Sequence, residues 1–299
     1  MKKILVIIAI IFFITNSFSI EDLLSQIDMT KVSKFSDGPH IPYESNPNLE
    51  TLKYHLYLYN SAVPTKGSSY IVKPSAEPYK FKSKLSEFKF LDKEMKKKGI
   101  VSYLFFDKDH IVVDKVSPKE RLGNFLDNET FLRSNSVGKT MVSYVLGHAI
   151  CEGYIDGVDT KINDWHVVKD TLYENHKLID LLNMTSGDQK YVYDSHILKE
   201  GRVTRDEGYN VDNWTLDFYT DFFKDKKSAK KKYNYNVINT NLIFNYVKFK
   251  SKDDFQKILD LTFQKKSKIK YKIFFPIKNY VLAENNVDKA DPMFYATRY

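Results

Sequence analysis

The chain has one cysteine in 299 residues, Cys151. A lone thiol can form no internal disulfide, so stability has to come from a packed core. Cys151 ends an apolar helical pattern and reads as a small core residue. Histidine is sparse too, seven in all. No two histidines have ligand spacing and His176 stands alone, so neither a metal nor a cofactor is implied. Long apolar runs are missing beyond the N-terminus, and the run there, Ile4 to Ile14, is too short to cross a bilayer comfortably. Basic residues exceed acidic ones, 46 against 38, for a net charge of +8. The lysine clusters at 96–98, 230–232 and 265–266 lack the glycine or aromatic interleaving of a nucleic-acid platform. They read as solvated faces.

What is present begins with an address. Met1-Lys2-Lys3, the apolar stretch after it, and the small residues Ser17 and Ser19 have the order of a secretory signal over residues 1–19. This predicts a periplasmic or secreted protein, with no stable membrane span after signal removal and no nucleic-acid partner. Residues 20–82 read as an irregular N-terminal extension, because Pro39, Pro42, Pro47, Pro64, Pro74 and Pro78 break any long element. Residues 83–299 read as one domain. An amphipathic helix is expected over 83–98, with Leu85, Phe88, Phe90, Leu91 and Met95 on its apolar side. Ile100 to Phe106 reads as a buried strand that turns at Asp107-Lys108-Asp109 and returns over His110 to Asp114. Further helices are expected over 136–153, 176–183, 239–248 and 253–264.

The chemistry starts at Ser136-Val137-Gly138-Lys139. Helical spacing puts residues i and i+3 on one face, so the Ser136 hydroxyl and the Lys139 amine point the same way. A serine is a poor nucleophile at neutral pH, and a neighbouring amine can take its proton. That is the minimum equipment for acyl transfer through a covalent intermediate. Taken alone, Ser-x-x-Lys is common on solvated helix faces.

Its surroundings are more specific. Leu132-Arg133-Ser134-Asn135 precedes the tetrad, Glu152-Gly153-Tyr154-Ile155-Asp156 closes the helix, and Leu181-Leu182-Asn183-Met184-Thr185-Ser186-Gly187 follows. The run resembles the nucleophile region of the serine β-lactamase and penicillin-binding-protein superfamily, above all its class-C-like esterases and 6-aminohexanoate-dimer hydrolases. The resemblance implies an α/β (α+β) fold, a β-lactamase-like antiparallel sheet flanked by helices beside an all-α subdomain. A second segment, Lys232 to Ile243, resembles the family's tyrosine motif, in which an apolar pair begins seven residues after the tyrosine. Leu242 lies at that distance from Tyr235, so the resemblance gives Tyr235 the tyrosine position, with Tyr233 as the fallback. In that role a phenol near ammonium groups has a lowered pKa and relays a proton. Val237 stands where class C β-lactamases carry asparagine, with Asn236 or Asn239 as partial substitutes. This departure favours an esterase or amidase over lactam recognition.

The family's third motif, Lys-Thr-Gly or His-x-Gly, needs a glycine, and none follows Gly208. Ile273 to Ile277 resembles a family Phe-x-Pro segment, with Lys278 in the place of glycine. The resemblance covers roughly residues 100–299. It implies a chain lacking its C-terminal part, with an incomplete sheet and weak or absent activity. The expectation is an exported serine hydrolase of a small ester or amide. Ser136 is its nucleophile, Lys139 the activating base, Tyr235 the proton relay, and the Ser136 N–H half of the oxyanion hole. Two alternatives stand beside it: a penicillin-recognising peptidase or β-lactamase, and a non-catalytic remnant that binds a ligand or partner.

Overall fold

A computed structural model describes residues 24–33, 47–61, 69–97, 99–194, 223–278 and 289–299. The expected signal, 1–19, lies outside them. In chain order the elements are α1 (Leu49–Ser61), β1 (Ser69–Val72), β2 (Lys82–Ser83), α2 (Lys89–Met95), β3 (Ser102–Asp107), β4 (His110–Val116), β5 (Leu132–Arg133) and α3 (Val137–Cys151). Then come α4 (Leu178–Leu182), α5 (Gln189–Asp194), α6 (Ile238–Ser251), α7 (Phe255–Leu259), β6 (Ile273–Lys278), β7 (Lys289–Ala290) and β8 (Tyr295–Ala296). The chain divides into two compact units.

One unit comprises residues 1–61, 89–101 and 116–127. Asn48 starts α1 by accepting the Thr51 N–H on its side-chain oxygen at 2.9 Å, the bond expected of a helix N-cap. The buried apolar side chains among the described residues here are Ile27, Leu56, Leu91, Met95, Leu122 and Phe125. The expectation of an irregular segment over 20–82 is therefore corrected. Pro47 and Pro64 bracket α1 instead of breaking it, and Ser69–Val72 is a sheet strand. Residues 89–101 and 116–127 belong to this unit, and 69–82 to the other.

The second unit comprises 62–88, 102–115 and 128–299. Its larger sheet runs β1-β6-β8-β5, with β7 on β6, and every pair is antiparallel. A smaller sheet runs β2-β4-β3. The expected hairpin forms, turning at Lys108 with φ 50°. Its first strand is not buried: β3 is a sheet edge, and Tyr103, Phe105 and Phe106 are exposed. The helix expected over 83–98 shrinks to α2. The N–H groups of Lys84 and Ser86 donate to Ile111 and Val112 carbonyls, both at 2.9 Å. Strand pairing thus overrides the local helical period, and Leu85, Phe88 and Phe90 stay exposed while Leu91 and Met95 are buried.

In this unit α3, α4, α6 and α7 collect around one apolar cluster with β1 and β6. On α3, Val142, Val145, Leu146 and Ala149 are buried, the i, i+3, i+4, i+7 stripe of a helix with one packed side. Cys151 lies two residues beyond Ala149, about 200° round the helix, and is exposed; the core role expected for it is corrected. In α6 the apolar residues Ile238, Leu242, Ile243, Phe244, Tyr246 and Val247 are all buried, so this helix is enclosed on nearly every side. It packs on α3, α4 and α7, and Phe244 meets Phe275 of β6 at a ring separation of 5.4 Å. Among the described residues no helix is long and apolar enough to cross a membrane.

Candidate active site

Ser136 occupies the N-cap position of α3, yet its side chain makes no cap hydrogen bond. A serine there usually accepts an N–H from the first turn. Here those N–H groups are taken by main chain: Val137 by Ser134 at 3.1 Å, Gly138 by Asn135 at 3.0 Å, and Lys139 by Ser136 at 3.2 Å. The tight first turn leaves the Ser136 hydroxyl available, and it is exposed. Lys139 Nζ donates to Ser136 Oγ at 3.2 Å. The same separation serves the reverse bond, hydroxyl to neutral amine, which nucleophile activation requires.

Two local features set that turn. Asn135 has φ 45°, a left-handed conformation that asparagine tolerates better than most residues. It swings the chain sharply from β5 into α3. Gly138 meets main chain: a Cβ there would lie 2.4 Å from the Pro292 carbonyl oxygen and 3.2 Å from Met293 Cα. The 290–294 segment is held in this position from two sides. Asn245 of α6 donates to the Ala290 carbonyl at 3.2 Å and accepts the Ala290 N–H at 3.0 Å, while the Ser134 N–H donates to the Phe294 carbonyl at 2.8 Å. Only glycine lets the helix start lie this close to another strand of backbone. Neither Asn135 nor Gly138 carried a signal readable in the sequence, because the partner of Gly138 is more than 150 residues away.

Tyr235 comes to the same place from the loop before α6. Lys139 Nζ sits 5.0 Å from the centre of its ring. Burial raises the phenol's pKa, but the hydrogen bond with Ser136 and the charge and hydrogen bond of Lys139 outweigh it and hold the phenol below its ordinary value. Ser136, Lys139 and Tyr235, some hundred residues apart at the extremes, therefore form one cluster. Tyr233 is 70% exposed and faces solvent. Asn236 is buried, with its amide turned to Asp188 at 3.0 Å.

No protein-family model matches the chain, and no curated protein matches it in sequence. A solved structure does. A protein from Bacillus anthracis carrying the provisional name 6-aminohexanoate-dimer hydrolase aligns with a TM-score of 0.52 at 13% identity, over 81% of this chain and 66% of that one. The fold is β-lactamase-like. This chain spans about two thirds of that protein's length. At this identity the match establishes the architecture, mixed α/β with antiparallel sheets flanked by helices, and the chemistry has to be argued from the cluster itself.

Proposed function

We propose that this protein is a serine hydrolase that transfers the acyl group of a small ester or amide to Ser136. The observation that carries the reading is the meeting of three groups at one helix start: a hydroxyl not used for capping, an amine 3.2 Å from it, and a phenol whose pKa these two lower. Ser136 Oγ attacks the carbonyl carbon as its proton passes to Lys139. The oxyanion is met by the N–H of Ser136. Tyr235 delivers the proton to the departing alcohol or amine, and water then repeats the sequence to release the acid. Val237, in the place of a lactamase asparagine, favours linear esters and amides. The solved structure of similar fold carries the provisional name 6-aminohexanoate-dimer hydrolase, which accords with this.

The test is to trap the intermediate. After brief exposure to an activated acetyl ester and acid quenching, peptide mass spectrometry is expected to find the acetyl group on the peptide bearing Ser136. Acetylation confined to surface lysines would sink the proposal. We also propose export, supported by the charged, apolar and small-residue order of residues 1–19. N-terminal sequencing of the mature protein is expected to start beyond Ser19, and recovery of Met1 from an exported pool would overturn it.

A further inference from the structure

Asp188 is fully buried. A carboxylate away from water is tolerated only with its oxygens hydrogen-bonded. Three donors reach it: Asn234 Nδ2 to Oδ1 at 3.0 Å, Asn236 Nδ2 to Oδ2 at 3.0 Å, and Tyr173 Oη to Oδ2 at 2.8 Å. Two of them flank Tyr235 in sequence. Side chains of an extended segment alternate between its two sides, and the burial follows: Asn234 is 2% exposed and Asn236 6%, whereas Tyr233 is 70% and Tyr235 49% exposed. Pulling 234 and 236 inward to one carboxylate leaves 235 a single direction, outward.

The bracing continues on both sides of the loop. Asn236 Oδ1 accepts the Asn239 N–H at 3.1 Å, tying the loop to the first turn of α6. The Asn234 N–H donates to the Met184 carbonyl at 2.8 Å, tying it to the turn that carries Asp188. Ser136 and Lys139 ride on α3, which packs against α6. The carboxylate therefore references the phenol to the same framework as the nucleophile.

We infer that Asp188 is a positioning residue for Tyr235, gripping the asparagines on either side of it so that the phenol meets Ser136 and Lys139. This rests on the hydrolase reading for its consequence in catalysis, but the positioning has its own readout. The experiment uses the full chain labelled with carbon-13 at tyrosine Cζ, with Tyr235→Phe to assign the Tyr235 signal and Asp188→Asn as the test variant. An amide at 188 is isosteric but brings its own N–H₂ against the incoming donors. In the parent, Tyr235 is expected to ionise below the ordinary tyrosine value. In Asp188→Asn its midpoint is expected to rise towards the ordinary tyrosine value. The kcat for an activated ester is expected to fall about 10- to 100-fold with little change in KM. An unmoved Tyr235 midpoint in a folded Asp188→Asn protein overturns the inference. If that variant fails to fold, Asn234→Ala, which removes one of the three donors, is expected to give a smaller shift of the same sign, and no shift again overturns it. A shift in a protein that forms no acyl-enzyme supports the positioning and defeats the hydrolase reading instead.

Discussion

Changing Ser136 to alanine is expected to lower the turnover of an activated ester on the order of 10⁴-fold, while thermal unfolding stays within about 0.5 kcal/mol of the parent. The rate effect follows from the loss of the oxygen that the proposed mechanism acylates. The small stability effect follows from the local structure: the hydroxyl is exposed and caps nothing, so its removal leaves no buried donor or acceptor without a partner. Lys139→Ala is expected to be comparably inactive, and the double variant no worse than either single one, because groups that act as a unit are not additive. Steady-state kinetics on purified protein checks this. Undiminished turnover in a folded Ser136→Ala protein would show that hydrolysis, if seen, occurs elsewhere.

Gly187→Ala is expected to destabilise the second unit by about 2–5 kcal/mol out of a domain stability of about 5–15 kcal/mol. Two costs combine. Gly187 has φ +77°, a conformation that disfavours any Cβ. The added Cβ would also lie 2.3 Å from Ser228 Oγ and 2.5 Å from the Ala229 carbonyl oxygen. Neither can easily give way. Ser228 Oγ donates to the Ser186 carbonyl at 2.7 Å, and the Ala229 N–H donates to the Gly187 carbonyl at 2.9 Å. The displaced segment leads into Asp188, so activity is expected to fall with stability. Gly147→Ala serves as the control. That Cβ meets nothing within 4 Å on α3, and a helical glycine replaced by alanine is expected to stabilise by about 0.5–1 kcal/mol. Urea denaturation separates the cases by midpoint at constant slope. A Gly187→Ala midpoint equal to the parent's would mean the turn is looser than its contacts indicate.

How much was readable in the sequence depended on distance along the chain. The apolar period of α3 and the three-residue step from Ser136 to Lys139 are local, and helix geometry alone puts the two side chains on one face. Tyr235 was singled out through the family resemblance, which sets an apolar pair seven residues after the motif tyrosine, the distance at which Leu242 lies. Local patterns misled where pairing across the chain competed with them. The 83–98 stretch has a helical period, but the backbone of Lys84 and Ser86 is claimed by the strand at Ile111 and Val112. Prolines suggested an irregular extension over 20–82, yet the four residues Ser69–Val72 find a full antiparallel register on β6.

The sequence by itself determined the helix after Ser136 and the serine–lysine pair on it, because both rest on contacts within a turn or two of chain; the mixed α/β class came from the family resemblance. Only the tertiary structure decided that Gly138 lies against Pro292, and that Asp188 gathers Tyr173, Asn234 and Asn236 around one buried carboxylate. Those contacts join residues 15 to 154 positions apart. No local preference selects them. They form because a buried carboxylate and a crowded backbone each admit few partners, and the folded core determines which residues are near enough to serve.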